Sequence, residues 1–127
     1  MVVGIGTDIV RIDRIQRSLD KLGDRFAERV LTPDELEQFQ RASKPATFLA
    51  KRFAVKEAAS KALGTGIGNG VSFQHIFVEH DPLGAPLLRL RERALAIASE
   101  RGASDFLVTL SDEKDYVVAF VVLSARA

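Results

Sequence analysis

Between Phe53 and Gly66 the chain reads FAVKEAASKALGTG, an alanine-rich stretch that places Glu57 one helical turn before Lys61. Arg52, Lys56 and Ser60 stand nearby, so cations outnumber the single acid. Such a cluster suits phosphate esters, which charged, multidentate donors hold strongly. A carboxylate in that company repels phosphate unless a divalent cation lies between them, and Mg²⁺ commonly joins one or two protein carboxylates to phosphate oxygens. Asp8, which closes the glycine-rich run GIGTD, is the candidate second carboxylate. Both features have plainer readings: Glu57 and Lys61 as an i,i+4 ion pair worth about 0.2–0.5 kcal/mol, and Asp8 as a strand-end or capping residue.

The elements that must position these groups are legible from periodicity. Val3, Ile5, Thr7 and Ile9 alternate with Gly4, Gly6 and Asp8, which predicts a first strand with one face of bare backbone ending in a carboxylate. Asp13 is placed to cap a helix in which Ile12, Ile15, Leu19 and Leu22 recur at helical spacing, leaving Arg14, Arg17 and Lys21 on other faces. Thr32, Pro33 and Glu35 in LTPDELEQF spell a capping box with proline at the first helical position, opening a helix through Phe39.

Pro45 opens a further helix running to about Leu63. Ala50, Ala54, Ala58 and Ala62 recur along it every four residues, a stripe of small side chains that admits another backbone. Phe48, Val55, Ala59 and Leu63 cover the adjoining sector, which predicts a half-buried Glu57. Strands follow at VSFQHIFVE and LLRL around the turn DPLGAP, then a helix over Arg91–Arg101 closed by Gly102, and a final hairpin of DFLVTL and YVVAFVVL. Strands and helices mix without regular parallel crossovers, which argues an α+β fold, mainly antiparallel, in one domain over residues 1–127.

Composition removes several function classes. A chain of 127 residues buries roughly two-thirds of its unfolded surface as one domain. With 46% hydrophobic and 28% charged residues it reads as an ordinary globular protein, and no apolar run approaches the roughly 20 residues needed to cross a bilayer. MVVGIGTD lacks the basic and apolar regions of a signal peptide, and 0 cysteines exclude disulfides, thiolate metal sites and cysteine nucleophiles; a cytoplasmic setting is expected. A net charge of +1 and a pI of 8.1 fall short of the basicity usual for nucleic-acid binding, and 0 tryptophans with 1 tyrosine offer little for base stacking. A nucleic-acid protein using the basic helix would betray itself by salt-dependent binding to random oligonucleotides. GIGTDI has Ile9 where a dinucleotide fingerprint needs a third glycine, and LGTGIGNG follows a helix instead of opening one, so neither is a Rossmann or P-loop motif. The second run reads either as a helix C-cap and connector or as backbone that a polyanion approaches closely.

GIGTDIVRIDRI followed by FLAKRFAVKEAASKALGTGIGNG resembles the holo-[acyl-carrier-protein] synthase family, the small 4′-phosphopantetheinyl transferases. The resemblance extends through LTPDELEQF, the DPLGAP turn and the VTLSDEKDY hairpin. It implies the 4′-phosphopantetheinyl transferase-like fold and transfer of 4′-phosphopantetheine from coenzyme A to a serine of apo acyl carrier protein, with release of adenosine 3′,5′-bisphosphate. It also implies Mg²⁺ dependence, a homotrimer with active sites between subunits, and a role in fatty acid biosynthesis. The family's metal-binding Asp and Glu fall on Asp8 and Glu57. Together with Lys61 these are the implied catalytic residues. Arg52, Lys56, Ser60, Lys61 and Gly64 match positions lining the coenzyme A site. Arg14, Lys21, Arg25 and Phe26 match the region that docks the acidic carrier protein, although a solvated helix face is the default for such a run.

The base that takes the serine proton stays open between Glu57 and a water on the metal. Some relatives carry a histidine in the turn where this chain has Ser111, Asp112 and Glu113, so no contact is transferred to that turn. His75 and His80 match no motif and read as structural or surface residues. A phosphate-ligand module without catalysis would use the same cations and glycines but have less need of paired Asp8 and Glu57; coenzyme A affinity without turnover would mark it.

Overall fold

The computed structural model describes residues 1–126, one short of the expected domain. Strand β1 (Val2–Arg11) leads into helices α1 (Ile12–Leu22), α2 (Asp24–Val30), α3 (Pro33–Gln40) and α4 (Pro45–Leu63). The hairpin β2 (Ile76–His80) and β3 (Pro86–Leu90), helix α5 (Glu92–Glu100) and the hairpin β4 (Asp105–Asp112) and β5 (Tyr116–Ser124) complete the chain. Every ladder is antiparallel: a three-stranded sheet in the order β1-β5-β4 and a separate β2-β3 pair. This is the expected α+β architecture. No helix among the described residues is long and apolar enough to cross a membrane.

Helix α4 lies against the three-stranded sheet, and the two glycines of β1 are the reason it can. A Cβ on Gly6 would stand 1.9 Å from the Ala58 carbonyl oxygen, and one on Gly4 would stand 2.2 Å from that of Ala62. Ala50, Ala54, Ala58 and Ala62 are buried along the facing stripe, as their spacing predicts. Opposite Gly4, Gly6 and Asp8, β5 sets Leu123, Val121 and Ala119, all fully buried. The pleat therefore turns the bulky residues of β1 outward: Ile5 and Ile9 are each 62% exposed and share the outer face with Leu107, Val118 and Phe120.

Three local expectations need correction. Asp13 does not cap α1: the N-cap position is Arg11, without a side-chain cap, and the Asp13 carboxylate accepts from Arg11 Nη2 at 3.2 Å. The basic helix is also broken, because Gly23 at φ 63° separates α1 from α2, so Arg25 and Phe26 belong to a second axis. The strand expected from Val71 begins later, since the Ser72 hydroxyl accepts from Gln74 N and opens a single 3₁₀ turn over Phe73–His75. The Thr32–Glu35 capping box and the Pro45–Leu63 helix stand as expected, the latter closed by Gly64 at φ 82°.

Candidate functional site

Asp8 lies inside β1, not at its end, and its register places it on the glycine face toward α4. The same bare backbone that lets α4 approach thereby lets a carboxylate of the sheet meet a helix. Lys61 Nζ donates to Asp8 Oδ1 and to the Thr7 carbonyl, each at 3.0 Å. Glu57, one turn back on α4, is half-buried as expected. Burial pushes its carboxyl above the usual carboxylate range and the charge of Asp8 adds to the push, while Lys61 and Arg14 oppose it. Two carboxylates that repel each other, on a sheet and a helix locked together by packing, form an oxygen donor pair suited to a hard divalent cation. Among the described residues no cluster of three or more His, Cys, Asp or Glu forms, so phosphate oxygens or water would have to complete such a coordination sphere.

The other members of the α4 motif part ways. Arg52, Lys56 and Ser60 recur every four residues on a stripe that faces the protein interior. Lys56 is 0% exposed and cannot line an open coenzyme A site, because Glu35 Oε1 and the carbonyls of Val30 and Phe73 take its ammonium at 2.6, 2.6 and 3.1 Å. Ser60 is equally buried and its hydroxyl donates to the Glu57 carbonyl at 2.7 Å, so its side chain is spent within the helix. Gly64 is the left-handed cap of α4, and a Cβ there would meet Arg101 Nη1 at 2.7 Å.

Arg52, at the first position of that stripe, borders a cleft. Nine residues from Lys61, it projects about 180° away around the axis. Its guanidinium stacks over the Phe48 ring at 4.6 Å on the floor of a cleft of about 380 Å³ that Lys51, His80, Thr109 and Asp112 also line. Arg52 Nε is buried without a hydrogen-bond partner among the described residues. Burial lowers the pKa of Arg52, against the pull of Glu35. His80 is held below its ordinary value by burial and then by the Arg52 charge. His75 is structural, as expected: its Nδ1 accepts from Ser72 N at 3.3 Å.

Of the expected docking residues, Arg14 stands near the first site. Arg14 stacks over the Phe53 ring at 5.6 Å and is close enough to act on Glu57. Phe26 also packs against Phe53, with the ring centroids 6.3 Å apart, and is half-buried. Lys21 and Arg25 are exposed.

Two contributors escaped the sequence reading. Arg101 donates to the carbonyls of Leu63, Ala62 and Val3 at 2.6, 3.3 and 3.0 Å, binding the last turn of α4 to β1. Glu35, legible as a capping residue, is also the buried acceptor for Lys56 and for Val78 N. Nothing local in the sequence signals either contact, since the partners lie 21 to 98 residues away in the chain.

Known proteins are similar in sequence and fold. The 4′-phosphopantetheinyl transferase superfamily profile matches residues 4–121. A holo-[acyl-carrier-protein] synthase of Shewanella frigidimarina is 53% identical over 124 residues, covering 98% of both chains. A crystal structure of the Neisseria meningitidis synthase superposes with a TM-score of 0.90 at 50% identity, over 98% of this chain and 99% of that one. A Bacillus anthracis synthase in complex with CoA (3′,5′-ADP) gives 0.82 at 40% identity, over 99% of each chain. The chain belongs to the holo-[acyl-carrier-protein] synthase family of the 4′-phosphopantetheinyl transferase superfamily.

Proposed function

We propose that this protein, acting as one domain over residues 1–127, transfers 4′-phosphopantetheine from coenzyme A to a serine of apo acyl carrier protein, releasing adenosine 3′,5′-bisphosphate. The observation that carries the reading is the Asp8–Glu57–Lys61 constellation: two carboxylates and one ammonium where a sheet and a helix meet through bare glycine backbone. The serine Oγ forms a bond to the phosphorus that carries pantetheine, and the pyrophosphate P–O bond to the adenosine side breaks with its electron pair on the leaving bisphosphate. Such transfers need positioning and charge stabilisation more than covalent work by the protein.

Asp8 and Glu57 would hold Mg²⁺. Bound there, the ion would offset the pyrophosphate charge and the charge developing on the leaving group. Lys61, already aligned by Asp8 and Thr7, adds a third fixed charge to the same place. The serine proton leaves to a base, Glu57 or a water beside it.

The outer sheet face supports assembly into a homotrimer. Ile5, Ile9, Leu107, Val118 and Phe120 leave an apolar patch of the kind that marks protein contacts. Arg52 and Lys61 point to opposite sides of α4, so a coenzyme A touching both draws them from two copies of the chain. The acidic carrier protein would dock on Arg14, Lys21 and Arg25 beside Phe26, where complementary charge speeds encounter and fixes orientation. The expected setting is the cytoplasm and fatty acid biosynthesis. Turnover by Asp8→Asn and Glu57→Gln tests the assignment: losses of at least a hundredfold support it, and a near-native rate in either overturns it.

A further inference from the structure

Arg52, Lys56 and Glu35 form a buried group of two cations and one carboxylate, a formal charge of +1. The three are not equally satisfied. Glu35 accepts from Lys56 Nζ and Thr32 N on Oε1 and from Val78 N on Oε2. Lys56 spends all three of its donors on Glu35, Val30 and Phe73. Arg52 is held less closely: 5% exposed, its Nε makes an ion-pair contact with Glu35 Oε2 at 3.6 Å, beyond hydrogen-bond reach, and has no hydrogen-bond partner among the described residues. An excess charge removed from water calls for a counter-charge. The cleft above Arg52 has room for one.

We infer that Lys56 is a positioning residue for the transfer reaction: by neutralising Glu35 it leaves the net charge of +1 of the group on Arg52, available to an oxyanion of coenzyme A in the cleft. The inference rests on reading Arg52 as a coenzyme A contact. It explains why a lysine beside the key acid Glu57 turns away from solvent. Without its ammonium, Glu35 keeps one cationic neighbour; the guanidinium closes the 3.6 Å gap, and the pair becomes neutral. The group then attracts no anion.

The test uses calorimetric titration of coenzyme A and steady-state kinetics on the intact protein. Lys56→Met retains the length of the stem and removes the charge, and should weaken coenzyme A at least tenfold in Kd and KM while kcat stays within about threefold. Glu35→Gln leaves both cations and should bind coenzyme A as tightly as the native chain or tighter. The double variant Glu35→Gln with Lys56→Met restores a charge of +1 on Arg52 and should recover most of the lost affinity. A merely structural lysine gives the opposite pattern, in which the double variant is no better than Lys56→Met and Glu35→Gln weakens binding as well; that result overturns the inference. If Lys56→Met does not fold, the sign of the Glu35→Gln effect decides alone. Arg52→Gln separates the two levels: unchanged affinity refutes the reading of Arg52, whereas weakened affinity beside a Lys56→Met protein of native affinity refutes only the role of Lys56.

Discussion

Replacing Gly6 by alanine tests whether the close approach of β1 and α4 positions the site. The added Cβ would lie 1.9 Å from the Ala58 carbonyl oxygen and 2.7 Å from Ala62 N. Carbon and carbonyl oxygen normally approach no closer than about 3.3 Å, so strand and helix must separate by more than about 1 Å. Both obstacles are backbone atoms of a helix, and no rotamer change relieves them. Asp8 stands two residues on along the same face and moves with the strand, away from Glu57 and Lys61. Misplacing a catalytic group by about 1 Å costs about a hundredfold in rate. Overpacking of this kind destabilises by about 1–3 kcal/mol, or about 4–12 °C in Tm for a chain of this length. The assays are conversion of apo to holo carrier protein at saturating coenzyme A and a thermal melt. A Gly6→Ala protein with a native melting point and a rate within threefold of the native one would refute the reasoning.

Other consequences follow from particular groups. Because burial and Asp8 raise the Glu57 carboxyl, its ionisation opposes folding as pH rises through the ordinary value of 4.5. Glu57→Gln should therefore melt higher than the native chain in chelator at pH 7, lose that advantage below about pH 4, and no longer be stabilised by Mg²⁺; an unchanged Mg²⁺ response would place the ion elsewhere. Reversing Lys21 and Arg25 to glutamate should raise KM for the carrier protein about tenfold and reduce its salt dependence, with coenzyme A affinity unchanged by titration; equal losses would deny them a docking role. Phe120→Glu, on the outer sheet face, should shift sedimentation from trimer to monomer and remove most activity. A fully active trimer would exclude that face as the interface. His80, held low by burial and Arg52, should remain neutral somewhat below its ordinary 6.5, so folding loses stability as pH falls through that value; His80→Gln should flatten the loss in thermal melts between pH 7 and pH 5.

Periodicity and capping chemistry made α3 and α4 legible almost to the residue, because Thr32, Glu35, Pro45 and Gly64 act locally. The alanine stripe and the glycine face were readable for the same reason: each states how close a backbone can come. Asp8 was recognisable by type but misplaced as a strand end, since alternation does not tell where a ladder with β5 stops, and the ladder runs on to Arg11. The burial of Lys56 and Ser60 was less legible. An i,i+4 row of polar residues on a helix ordinarily faces water, and what reverses it here is Glu35, 21 residues earlier, together with two carbonyls from α2 and the 3₁₀ turn. Buried polar satisfaction is a tertiary property, and the helix sequence alone carries no trace of it. The division of Arg52 from Lys61 follows from helical geometry once α4 is known, and its consequence needs the cleft to be seen.

The most direct measurement is the intact mass of an apo acyl carrier protein after incubation with this protein, coenzyme A and Mg²⁺, beside chelator and Glu57→Gln controls. The account predicts a gain of one phosphopantetheine group that both controls abolish. Coenzyme A binding without any mass gain on several carrier proteins, or a gain that survives in Glu57→Gln, would contradict it.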